Sequence, residues 1–60
     1  MTIYLIDKAT QEILAEHSEV ERWDYSFIEC INYGRKAKFY CNTEVEYFTD
    51  KNPQEVVDEQ

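Results

Sequence analysis

The stretch Trp23–Cys41, WDYSFIECINYGRKAKFYC, decides the fold. Apolar residues recur at Trp23, Tyr25, Phe27 and Ile31, a period of two that marks a strand with one buried face. Asn32-Tyr33-Gly34 interrupts the run with the only glycine in the chain. A three-residue hairpin loop ends in a residue with positive φ, and Gly34 stands where that residue belongs. Beyond it, Ala37, Phe39 and Cys41 alternate with Lys36, Lys38 and Tyr40. Ile31 opposite Arg35 then sets Phe27 against Phe39 and Tyr25 against Cys41, with the apolar residues of both strands on one face. The expected core is Trp23, Tyr25, Phe27, Ile31, Phe39 and Cys41, with Ile3 and Leu5 alongside. On that reading Phe27→Ala removes the centre of the core. Glu29 falls in the apolar column and must reach an edge, a bulge or a partner.

Outward from this hairpin, Thr2–Ile6 (TIYLI) reads as a strand. Asp7 to Gln11 reads as a turn, because Asp and Thr side chains bond their own nearby backbone. Hairpins of this kind usually place Gly where Gln11 stands, so Gln11 adopts a strained conformation or the loop is longer. Residues 10–22 carry two patterns. Ile13, Ala15 and His17 alternate as in a strand, whereas Ile13, His17 and Val20 recur as in a helix. The strand pattern is favoured, with a solvated acidic turn before Trp23. Glu44–Phe48 reads as an edge strand with alternating charges. Asn52-Pro53-Gln54-Glu55 carries the marks of a helix start, and Val56 and Val57 could pin one turn to the sheet. The expected fold is mainly β. It is a small antiparallel meander of four to five strands with a short C-terminal helical turn; the alternative is α+β with a helix at 10–22. Residues 1–60 form a single domain, with 51–60 a partly ordered acidic tail.

The 60 residues hold 13 acidic and 6 basic side chains, a net charge of −7. That sign repels nucleic acid and anionic membrane and attracts basic surfaces. With 43% hydrophobic and 15% aromatic residues, the chain has the composition of a folded domain. No apolar run nears the ~20 residues of a membrane span. The N-terminus does not follow a secretory pattern. The expected compartment is the cytoplasm of a bacterial host cell, with Cys30 and Cys41 reduced and placed on opposite faces of the sheet.

Catalytic constellations are missing from the sequence. His17, the only histidine, has no spacing that ties it to Cys30 or Cys41, and reads as a surface residue. His17, Cys30 and Cys41 are too few soft donors for a closed zinc site, and neither CxxC nor HxxxH occurs. No calcium loop or phosphate-cradling glycine loop is present. The expectation is a non-enzymatic protein with no metal and no cofactor. Arg35, Lys36 and Lys38 cluster near Tyr33 and Tyr40; they read as a turn kept soluble by charge, able to add a local contact to a partner.

In size, acidity and sheet content the chain resembles small phage-encoded inhibitors, the anti-CRISPR and DNA-mimic class. The resemblance is one of type and no motif assigns residue roles. It implies a protein partner with a basic, nucleic-acid-handling surface, met by carboxylates spaced like phosphates. The candidate acidic face is Glu12, Glu16, Glu19, Glu21 and Asp24, with Glu44 and Glu46 second. No direct contact with nucleic acid or membrane is expected, and the chain is expected to be a monomer or weak homodimer. A second reading is an interaction module that binds through exposed aromatics, Tyr40 and Tyr47.

Overall fold

The computed structural model describes residues 1–53. Among them are six strands: β1 (Ile3–Asp7), β2 (Ile13–His17), β3 (Val20–Asp24), β4 (Phe27–Asn32), β5 (Arg35–Tyr40) and β6 (Glu46–Thr49). They form two three-stranded antiparallel sheets, ordered β2-β1-β6 and β3-β4-β5. The fold is mainly β, as the alternation implied. It is not a single meander, however, because β6 returns to pair with β1. A lone small sheet leaves one face bare, and two sheets each burying a face against the other solve that problem.

The alternative helix at 10–22 does not form. Its residues make β2 and β3, joined by a bend at Ser18-Glu19. Along β2, half-buried Ile13, Ala15 and His17 alternate with exposed Leu14 and Glu16. At the bend the chain passes from one sheet to the other. The Val20 amide donates to the Met1 carbonyl (3.1 Å), and the Ile31 amide donates to the Glu19 carbonyl (3.1 Å). A second junction joins the far end, where the Phe48 amide donates to the Tyr25 carbonyl at 2.9 Å. The helical turn expected at Asn52–Val57 lies mostly outside the described residues, as does most of the tail at 51–60.

The β1–β2 turn is built as its residues suggest. Asp7 Oδ1 accepts from the amides of Ala9 (2.8 Å) and Thr10 (3.2 Å), and Thr10 Oγ1 accepts from the Glu12 amide (3.2 Å). Gln11 takes φ 63°, the left-handed conformation a glycine would hold without strain.

The central hairpin differs from the expected register by one residue. Asn32 pairs with Arg35, Ile31 with Lys36, Ile28 with Phe39 and Phe27 with Tyr40. The loop is therefore two residues, Tyr33 at φ 55° and Gly34 at φ 75°. Positive φ at both central positions is what a type I′ turn requires, and its twist matches that of the flanking strands. A one-residue slip sends every side chain to the other face. Ile28 and Cys30 point inward and are buried, opposite Phe39 and Ala37. Phe27, Glu29 and Ile31 point outward with Tyr40, Lys38 and Lys36.

The core is consequently Ile3, Val20, Ile28, Cys30 and Phe48, with Leu5, Trp23, Ala37 and Cys41 packed against it. Ile3, Leu5, Trp23 and Cys41 match the expected core. Tyr25, at 62% exposed, does not belong to it. Phe27 and Ile31 sit half-buried on the outer face, so they too leave it. Trp23 stays on the inner side because the pairing of β3 with β4 skips Glu21, a bulge that restores its parity with Val20. Ile6 is fully buried outside this cluster, paired with Ile13 and Tyr47.

The same register puts Cys30 and Cys41 on one face rather than on opposite faces. Cys30 faces Ala37, and Cys41 lies four residues beyond it, about 13 Å along an extended strand. That exceeds the Cα separation a disulfide spans, and both thiols are free.

Two substitutions test this register. Ile28→Ala should cost about 2–5 kcal/mol, while Phe27→Ala should cost clearly less, as read from chemical denaturation midpoints. The reverse order would restore the register in which Phe27 faces inward. Tyr33→Asn should raise the melting temperature, by relief of up to about 1 kcal/mol of left-handed strain, because Asn tolerates this conformation better than Tyr.

Candidate binding surface

The charged residues divide between two parts of the fold. The outer face of the β3-β4-β5 sheet holds a cross-strand ladder. Arg22 and Lys38 flank Glu29, with Arg22 Nη1 at 3.4 Å from Oε1 and Lys38 Nζ at 3.6 Å from Oε2. Glu29, out of place in an apolar column, is thus an outward residue between two cations. Beside it, Phe27 and Tyr40 pair across the strands with ring centroids 6.3 Å apart. Lys38 Nζ lies 4.8 Å from the Phe27 centroid and 5.3 Å from that of Tyr40. The Tyr40 hydroxyl chiefly, and then Glu29, hold the Lys38 ammonium above its ordinary range.

The acidic candidates follow the β2–β3 run. Glu12 precedes β2, Glu16 lies within it, Glu19 occupies the bend and Glu21 is the bulged residue of β3. All four are exposed, and among the described residues no lysine or arginine pairs with them. This run supplies an outer strand to each sheet; Glu12, Glu16 and Glu19 follow β2 and the bend, whereas Glu21 on β3 lines a second cavity with Glu29, Lys36 and Lys38. The remaining three candidates are engaged or elsewhere. Asp24 Oδ1 accepts from the Ser26 amide (3.1 Å) and hydroxyl (3.3 Å), which fixes the β3–β4 turn. Glu46 Oε2 accepts from the Asn42 amide at 3.2 Å. Glu44 is exposed in the turn before β6, at the end of the sheet where Lys8 Nζ donates to the Thr43 carbonyl (2.6 Å).

The two aromatic candidates do not share a patch. Tyr40 is 70% exposed on the outer face of the β3-β4-β5 sheet. Tyr47 is half-buried on β6 in the other sheet, and its hydroxyl donates to Gln11 Oε1 at 3.0 Å.

Between the β2–β3 bend and the tip of the β4–β5 hairpin lies a groove of about 480 Å³. Glu16, His17, Glu19, Asn32, Tyr33 and Phe39 contribute to its lining. His17 is not a plain surface residue. It is half-buried, stacked on Phe39 at 5.5 Å and 28°, and edge-on to Phe48 at 6.3 Å. It therefore joins the two sheets at the groove wall. Its helical spacing and its acidic neighbours in sequence gave no sign of this; alternation with Ala15 on β2 was the available signal. Tyr33, at the other side, is 96% exposed.

Among the described residues, no group of three or more His, Cys, Asp or Glu is arranged to hold a metal ion. No described helix is long and apolar enough to cross a membrane. Comparison with known proteins finds no matching family, no matching curated protein and no matching solved structure.

The cysteines take part in packing. Cys41 Sγ donates to the carbonyls of Tyr25 (3.5 Å) and Glu46 (3.9 Å). Burial first, and then the Glu46 carboxylate, push its thiol above the ordinary range. The thiolate, which is the reactive form, is accordingly scarce at neutral pH. Reaction with Ellman's reagent near pH 7.5 should be much slower for the native protein than for the denatured chain. It should accelerate only as pH rises past the ordinary thiol range, and native rates equal to denatured ones would contradict this placement.

Proposed function

We propose that this chain is a non-enzymatic binding protein, an acidic inhibitor that docks on the basic surface of a nucleic-acid-handling protein in a bacterial cytoplasm. The observation that carries the reading is the run of carboxylates Glu12, Glu16, Glu19 and Glu21 along β2 and β3, none of them paired with a lysine or arginine among the described residues. Four of the six basic residues, Arg22, Arg35, Lys36 and Lys38, lie in the β3-β4-β5 sheet, whose strand β3 also carries Glu21. Arg22 and Lys38 are occupied there by Glu29. The part of the run from Glu12 to Glu19, which pairs with no cation among the described residues, attracts a basic groove at long range and repels nucleic acid.

A second reading has its own support. Tyr40, with Lys38 and half-buried Phe27 beside it, presents an exposed aromatic ring on the outer sheet face, and exposed aromatics of this kind serve as binding centres. Tyr47 contributes less to such a contact, being half-buried and hydrogen-bonded.

Capture of a partner from bacterial lysate, followed by titration against it, separates the two. The Glu19→Lys, Glu21→Lys double variant should weaken binding several-fold and flatten its salt dependence, because exposed charges act through long-range attraction. Excess duplex DNA should displace the protein from its partner. Binding that survives both treatments and falls with Tyr40→Ala would replace the acidic-margin reading with the aromatic one.

A further inference from the structure

We infer that the groove between the β2–β3 bend and the β4–β5 hairpin is a subsite for a guanidinium group, presented by an arginine side chain of the protein partner. The inference rests on the acidic-margin reading and sharpens it to one anchor.

The chemistry of the walls selects the ligand. Glu16 and Glu19 both line the groove and neither is paired with a cation among the described residues. The groove is also lined by flat groups, the stacked His17–Phe39 pair and the Tyr33 ring. Carboxylates together with aromatic faces suit a cation that is planar, weakly hydrated and able to donate in a fork. An ammonium satisfies the charge but not the stacking surface. The volume of about 480 Å³ falls within the range of small-ligand clefts and admits an arginine head without requiring a larger molecule.

Tyr33 supports the assignment independently of charge. A two-residue loop with both residues at positive φ is best served by Asn-Gly, yet Tyr precedes Gly34 here. The ring gains little from packing at 96% exposure. A large side chain held in a left-handed conformation without packing in return is a position where stability is spent, and such positions collect at ligand contacts.

The test is a ¹⁵N–¹H NMR titration with agmatine as the guanidinium probe and putrescine as its ammonium counterpart. Saturable shifts confined to the amides of residues 16–19 and 32–34 are expected, with putrescine several-fold weaker. Glu16→Gln with Glu19→Gln should weaken agmatine at least fivefold. Tyr33→Asn is the discriminating variant: it should melt higher than the parent yet bind agmatine several-fold less well. No saturable site, or equal shifts around Glu12 and Glu44, would overturn the subsite. Agmatine binding unaffected by Tyr33→Asn would overturn it as well. If Tyr33→Asn abolishes agmatine binding but leaves partner capture unchanged, the groove serves a free small molecule and the partner-arginine assignment is wrong. Glu12→Lys with Glu21→Lys, outside the groove, reports on the margin alone. Partner binding lost there with no agmatine site sinks the subsite and keeps the margin; agmatine bound with partner capture indifferent to that reversal does the opposite.

Discussion

The Tyr33-Gly34 turn is the constraint on which the rest of the structure depends. Two residues at positive φ close the hairpin in the hand that the strands already twist, and this sets Asn32 against Arg35. Everything on β4 and β5 follows by parity. Ile28 and Cys30 are carried into the core, and Glu29 is carried out of it. Had the loop held three residues, Glu29 would have faced the inside of a domain with no buried cation among its described residues to meet it, a cost of several kcal/mol in a chain whose whole stability is of that order. The turn and the Glu29 ladder therefore enforce the same register.

The inner faces of both sheets meet in a small core, and their joining depends on the β2–β3 run. It departs from regular pairing twice, at Leu14 opposite the Leu5/Ile6 step and at Glu21 opposite the Glu29/Cys30 step. Bulges bend a strand and increase its twist, which lets one run serve as the margin of two sheets. The bend itself is tied at Val20 to Met1 and at Glu19 to Ile31, so each sheet holds one side of it. His17, placed between Phe39 and Phe48, fills the junction with an aromatic ring that makes stacked and edge-on contacts at once.

Much of the local structure was legible in the sequence. Asp7 and Thr10 announced their turn by side-chain chemistry, and Gln11 stood where positive φ was required. Gly34 marked the hairpin. Alternation named the strands, including β2 against a competing helical period. What the residues could not reveal was parity, because Tyr33 is an improbable occupant of a left-handed position and hid a two-residue loop behind a three-residue one. Glu29 was the clue to the error: a carboxylate in an apolar column is evidence that the column faces outward. The division into two sheets was hidden for a different reason. Pairing of β1 with β6 joins residues 39 to 45 apart, and local pattern carries no information about such contacts. Of the candidate acidic residues, spacing alone could not separate Asp24, spent on the Ser26 turn, from Glu19, which pairs with no cation among the described residues.

That separation matters for how the acidic margin is understood. Carboxylates on an outer strand have an ordinary duty, since charge there discourages pairing with other chains. Glu16 in β2 and Glu21 in β3 are both accounted for in this way. Glu19 is not. It lies in the bend rather than in a strand, and its carbonyl already accepts from Ile31, so it has no open edge to protect. Turn formation does not explain it either, because among the described residues no hydrogen bond of its carboxylate holds the bend, in contrast to Asp7 and Asp24 at their own turns. A charge that serves neither the edge nor the turn, placed beside Glu16 at the mouth of an aromatic-walled groove, is the part of the margin for which folding alone gives no reason.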